Sequence, residues 1–307
     1  MNQPVLIWGH RGCRQNSYHY ENSLSSFQYA FEHGEGLETD AVRAGSDIFL
    51  IHDTIFIEQV DYELARHMDE KSQKLLAEQQ QQPPYLYKLT DNVASQLHLK
   101  DGTLIPRLTE MLQLLSKYPH HTLNLELKGP SVWQPALAII EKAVTDGMIT
   151  RDQIVFSSFA HPPLMELRQK VGTLYKIGCL FAKETQTLTP TFSNWPDLSD
   201  ADKAGHYIPF SKEALENDVL KAIQPDYFNI ENSVARMENL DLIAAKFPAA
   251  KIIMWALGAV GEENPLTNNS VTNKVQELYP TGKIHAVITD FPVEMKSVFK
   301  KHSIPVI

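Results

Sequence analysis

Glu38 and Asp40 in GLETDAV stand two positions apart, and Asn124, Glu126 and Lys128 repeat that spacing in TLNLELK. Side chains two apart on a strand point the same way, so each segment, if extended, offers its polar groups to one face. Carboxylates converging from neighbouring strands cost several kcal/mol in desolvation and repulsion unless a cation lies among them. An all-oxygen donor set of Glu38, Asp40 and Glu126 suits one hard divalent ion, Mg²⁺ or Ca²⁺, rather than zinc. Two histidines fall at strand ends near these acids: His10 at the end of VLIWGH and His52 in FLIHD. Both protonation states of imidazole are accessible near neutrality, so such a pair can serve as general acid and base. Arg11 adds a planar fork for phosphate oxygens and Lys128 a point charge. The combination reads as a phosphoryl-transfer site, with cations to stabilise charge on phosphoryl oxygens and histidines to move protons. Trp255 in IIMWALG either packs in a core or walls the pocket of that site.

These residues need a scaffold that gathers strand ends. Short apolar, β-branched runs alternate with helical patterns along the chain, the signature of parallel strands covered by helices. Strands are expected at 5–9, 36–42, 122–128, 153–159, 173–181, 226–232, 251–258 and 285–291. Helices are expected at 23–33, 107–117, 132–146, 161–171, 212–223, 234–247, 271–279 and 292–302, with Asn22 or Ser23 capping the first and Gly34 ending it. A (β/α)₈ barrel accommodates this count. FLIHD follows the second strand after only a short AGSD turn, too short for a parallel crossover, so it is expected to fold back as an antiparallel hairpin that returns His52 toward Glu38 and Asp40.

The segment 56–105 breaks the rhythm with a polar helical stretch ending in a glutamine run and Pro83–Pro84. It reads as an insertion beside the mouth, either a functional loop or a surface decoration. Residues 182–211 form a second long polar connection, a lid in position.

With 307 residues, 43% hydrophobic and 21% charged, the chain has the composition of one elaborated globular domain, 1–307, carrying the 56–105 insertion. No apolar run approaches the roughly 20 residues a membrane span needs, so stable membrane insertion is not expected. A net charge of −9 without a Lys/Arg cluster argues against a nucleic-acid partner. Cys13 and Cys179 are too few and too far apart for a disulfide framework. MNQPVLIW has no basic stretch followed by a long apolar one, so the expected location is the cytoplasm. Composition leaves the oligomeric state open. No G-x-S-x-G, P-loop, H-E-x-x-H or G-x-G-x-x-G occurs. Ser157 and Ser158 read as rim hydrogen-bonding or capping residues rather than nucleophiles.

The ordered series HRG, ENSLSSFQYAFEHG, LETDAV, IHD, IPRLTEML, LNLELKG, VFSSF, MWALG and AVITDFP resembles the glycerophosphodiester phosphodiesterase family, which is similar in turn to the arthropod sphingomyelinase-D-type phospholipases. The resemblance runs from His10 to Pro292. It implies a TIM barrel with an insertion after the second-strand hairpin. By the same resemblance His10 and His52 are the acid/base pair, Glu38, Asp40 and Glu126 hold the divalent metal, and Arg11 and Lys128 contact phosphate. The implied activity is metal-dependent cleavage of a small glycerophosphodiester to sn-glycerol 3-phosphate and an alcohol. Ala256 and Gly258 depart from the family's Thr and Asn on one rim, which leaves the alcohol specificity open. The competing readings are a phospholipase D acting on lysophospholipid or sphingolipid headgroups with the same residues, and a non-catalytic anion-binding barrel.

Overall fold

In the computed structural model the described residues are 3–13, 19–53, 59–80, 85–183, 208–257 and 269–307. Strands β1 (Leu6–His10), β2 (Gly36–Ala44), β4 (Thr122–Lys128), β5 (Ile154–Ser158), β6 (Lys176–Phe181), β7 (Tyr227–Glu231), β8 (Lys251–Leu257) and β9 (Ile284–Thr289) are parallel and in chain order around the sheet. β1 pairs with both β9 and β2, which closes the sheet into an eight-stranded barrel. β3 (Asp47–Leu50) pairs antiparallel with β2 alone, from Ala41 opposite Leu50 to Ala44 opposite Asp47. The expected (β/α)₈ barrel and its hairpin are thus both present, and the short turn accounts for the hairpin, since no helix fits between β2 and β3.

Period-2 alternation separates two apolar layers. Trp8, Val155, Tyr227, Ile253, Ala286 and Ile288 point inward and plug the barrel, while their neighbours Ile7, Phe156, Phe228, Ile252 and Val287 point outward to the helices. Helix α1 (Leu24–His33) shows the outer layer at work: Phe27, Ala30 and Phe31 lie on its buried face, and the Ser23 side chain caps it by accepting from Ser26 N–H at 3.2 Å. Ser23, not Asn22, is therefore the cap. The helix expected over 212–223 is two helices, Lys212–Leu215 and Asp218–Ile223. Asn217 starts the second by accepting from Val219 N–H at 2.8 Å, and this local bond competes with continuing the first.

The insertion has its own apolar cluster. Val60, Met68, Leu76, Leu86, Leu89, Leu97 and Leu99 gather on Val42, Phe49 and Ile51, the face of the β2–β3 hairpin opposite the one that packs on the barrel's helices through Ala41, Ile48 and Leu50. This buries a hairpin surface that would otherwise face water. Its polar helix is Glu70–Gln80, and Pro83–Pro84 with the end of the glutamine run lie outside the described residues. The connection 182–211 is pinned at its ends, where Ala182 N–H donates to Ile208 O at 2.9 Å and Ala182 O accepts from Phe210 N–H at 2.8 Å. Its middle, 184–207, lies outside the described residues, as does the lid expected there. Among the described residues no helix is long and apolar enough to cross a membrane.

The turn after β1 is tightly built. A Cβ on Gly9 would meet the Gly12 carbonyl oxygen at 2.0 Å and Ala30 Cβ at 2.7 Å, and Gly12 itself has φ +82°. Gly9→Ala forces backbone apart under His10 and Arg11. Overpacking of this kind lowers stability by about 1–3 kcal/mol or more, read as a fall in the urea midpoint. An unchanged midpoint would show that the turn relaxes freely.

Candidate active site

The C-terminal strand ends bring the acidic residues together. In the β2–β4 register Glu38 lies opposite Asn124 and Asp40 opposite Glu126, and in the β1–β2 register His10 lies opposite Glu38. Glu38, Asp40 and Glu126 are 5%, 1% and 9% exposed, and each offers an oxygen within 4.8 Å of the others. Lys128 Nζ sits 2.9 Å from Asp40 Oδ1 and 3.5 Å from Glu126 Oε1. Burial and the neighbouring Asp40 and Glu126 charges push the Glu38 carboxyl well above the ordinary carboxylate range. Burial lifts Glu126 to about 7 against the opposing pull of Lys128. Asp40 is driven the other way: its burial is outweighed by Lys128, His52 and Arg11, so it stays ionised. Two carboxyls shifted upward beside an ionised third mark a cluster short of positive charge. The donor set, all oxygen and buried at the floor of a barrel mouth, fits a hard divalent cation.

Arg11 leaves β1 with φ +50°, a left-handed geometry rare outside glycine. The twist turns its backbone N–H to Glu38 Oε2 at 3.2 Å, while Nη1 donates to both oxygens of Glu21 at 3.2 Å and Nε lies 3.7 Å from Asp40 Oδ2. Asn22, also left-handed with φ +57°, donates to Asp40 Oδ2 at 3.2 Å and accepts from Thr39 Oγ1 at 2.7 Å. Both cations of the sequence reading are thus seated among carboxylates at the mouth.

Each histidine has an aspartate behind it. His10 Nδ1 is 2.6 Å from Asp290 Oδ1, and its Nε2 is 3.9 Å from Glu38 Oε2. His52 Nδ1 is 2.6 Å from Asp53 Oδ1. A carboxylate only accepts, so Nδ1 carries the proton in both rings and Nε2 is left to face the site. Burial and the charges of Arg11 and Lys128 lower His52 to about 4, so it is neutral at pH 7. Trp255 stands in the mouth wall: its ring meets Phe159 edge-on at 5.7 Å, beside Leu180 and Ala182, and its Nε1 donates to Asn229 O at 3.1 Å. Ser158 serves the rim, donating to Leu127 O at 2.7 Å and accepting from Ala160 N–H at 3.0 Å.

The structure therefore gathers Glu38, Asp40, Glu126, Arg11 and Lys128 into one contact network, with His10 joined through Glu38 and His52 brought alongside by the hydrogen bond that Ile51 N–H donates to Asp40 O at 3.1 Å. Sequence reasoning missed Glu21, Asn22, Asp53 and Asp290. Asp290 had a signal, since it ends a barrel strand as the other site residues do. Asp53 had one in its place directly after His52.

Fold and site together are those of a (β/α)₈ barrel with an acidic, histidine-flanked mouth. Solved barrels it is similar to include glycerophosphodiester phosphodiesterases. One from Parabacteroides distasonis aligns with TM-score 0.64 at 15% identity, over 99% of this chain and 100% of its own. A phosphodiesterase of Oleispira antarctica, captured with its product sn-glycerol 3-phosphate, aligns with TM-score 0.63 at 18% identity over 97% of each chain. A second Parabacteroides distasonis enzyme of the same kind aligns with TM-score 0.57 at 13% identity, over 100% of this chain and 89% of its own. No family model matches the sequence. No curated protein matches it either.

Proposed function

We propose that this protein is a divalent-metal-dependent glycerophosphodiester phosphodiesterase that releases sn-glycerol 3-phosphate and an alcohol. The observation that carries the reading is the meeting of a buried three-carboxylate cluster with two histidines, each backed by an aspartate, at the mouth of one barrel. The likeness of the whole chain to barrels of that activity supports it, including one that holds sn-glycerol 3-phosphate.

Glu38, Asp40 and Glu126 would hold the ion, Mg²⁺ or Ca²⁺, which when bound supplies positive charge against the phosphoryl oxygens. Arg11 and Lys128 present the remaining positive charge to the same oxygens. His52, neutral and with Nε2 unprotonated, accepts a proton from the attacking hydroxyl, either the glycerol 2-hydroxyl or water. His10 has Asp290 at Nδ1 and turns Nε2 toward Glu38 and the site. It donates to the leaving alcohol oxygen as the P–O bond breaks. If the glycerol hydroxyl attacks, a cyclic phosphate forms and water opens it with the roles reversed. Trp255 and Phe159 together form an aromatic wall for the substrate pocket.

Incubation with glycerophosphocholine, glycerophosphoethanolamine and lysophosphatidylcholine, with Mg²⁺ or Ca²⁺, tests the proposal. Glycerol 3-phosphate is expected from the first two. Headgroup release from lysophosphatidylcholine alone would replace the reading by a phospholipase D. No product from any of the three would leave an anion-binding barrel.

A further inference from the structure

Gln59 opens the insertion, and its side chain reaches back to the site. It is only 5% exposed. Its Oε1 accepts the Asp53 backbone N–H at 3.0 Å, and its Nε2 donates to Glu21 Oε1 at 2.9 Å. Asp53 is the residue whose carboxylate takes His52 Nδ1, and Glu21 is the one whose carboxylate takes Arg11 Nη1. One amide thus ties the strut of the proposed base to the strut of the proposed phosphate-gripping arginine. The pairing is chemically specific: the Asp53 N–H only donates and the Glu21 carboxylate only accepts, so the bridge needs a group carrying both an acceptor and a donor. The anchor is firm on the other side too. Val60 is buried and bridges to Leu99, and Asp61 N–H donates to His98 O at 2.8 Å, which ties the backbone next to Gln59 into the insertion's apolar cluster.

We infer that Gln59 is a positioning residue through which the insertion sets the orientation of both His52 and Arg11. The inference rests on the phosphodiesterase reading for the roles of those two residues. It also assigns the insertion a task beyond covering the hairpin, since the segment supplies a strut to the reaction centre.

Gln59→Met keeps the volume and removes both hydrogen bonds, whereas Gln59→Glu keeps the acceptor for Asp53 and sets a second carboxylate against Glu21. For glycerophosphocholine with Mg²⁺, Gln59→Met is expected to lower kcat and raise KM together, with a loss in kcat/KM of about tenfold to a hundredfold from misplaced groups. Gln59→Glu is expected to raise KM as much while losing less in kcat, because only the Arg11 strut is disturbed. Circular dichroism and the thermal midpoint establish that each variant is folded. A folded Gln59→Met with wild-type kcat and KM, or a loss that tracks only the folded fraction, would overturn the inference. If Gln59→Met does not fold, Gln59→Glu decides by its KM. If the wild-type protein turns over no diester, the phosphodiesterase reading fails on its own, and binding of inorganic phosphate with Mg²⁺ present decides for Gln59: weaker binding by folded Gln59→Met supports the strut to Arg11, while equal binding, or none by the wild type, overturns it.

Discussion

Alanine at His52 is expected to lower kcat for glycerophosphocholine by roughly 10²–10⁴-fold, the contribution of a positioned general base. The ring touches the proposed site from the hairpin rim and not from the barrel core, and its side chain is 18% exposed. Its removal therefore leaves the apolar layers intact, and the thermal midpoint should move little. His10→Ala is expected to match it in kcat, because Asp290 then faces no imidazole and the leaving oxygen has no proton donor. Steady-state kinetics on the folded variants decide the matter. Retention of most of kcat by either variant would remove that histidine from the acid/base pair.

Chelation is expected to have an effect of similar size. Treatment with EDTA should abolish turnover, and Mg²⁺ or Ca²⁺ should restore it, with the better ion identifying the working metal. The pH dependence of binding has a definite sign. Glu126 is lifted to about 7, so below about pH 7 its carboxyl holds a proton that a cation must displace. Metal affinity should therefore weaken by about tenfold per pH unit on going below about pH 7, one proton being released per ion. Calorimetry in buffers of different ionisation enthalpy counts that proton. The same raised pKa means that the metal-free fold holds this proton more tightly than the unfolded chain does. Stability from it is present at low pH and is lost as pH rises through about 7. The rise in thermal midpoint on adding metal should accordingly be greater at about pH 8 than at about pH 6. Equal affinity at both pH values would show that the cluster is ionised without the ion.

Much of this was legible along the chain because it depends on local rules. Alternation with period 2 aligns Glu38 with Asp40 and Glu126 with Lys128 whatever the strands pack against. The short turn before FLIHD allows a hairpin and forbids a crossover. The break at Asn217 was not legible, because helical periodicity continues through it and only the side-chain bond to Val219 ends the first helix. The partners of the site were hidden for a different reason. Asp290 lies 280 positions from His10, and the two meet because β9 closes the barrel on β1. Gln59 and Glu21 are 38 positions apart and meet only when the insertion seats on the hairpin.

The sequence by itself determined which residue types stand at strand ends, which of them share a face, and hence that acids, histidines and cations were on hand for phosphoryl chemistry. Only the tertiary structure decided their pairings: which aspartate backs which histidine, that Lys128 sits between Asp40 and Glu126, and that the insertion contributes Gln59. The division follows from the range of the forces. Strand alternation and turns act over a few residues, whereas barrel closure and burial bring together groups from the whole chain. The raised and lowered pKa values of Glu38, Glu126 and Asp40 exist only once those groups share one desolvated site.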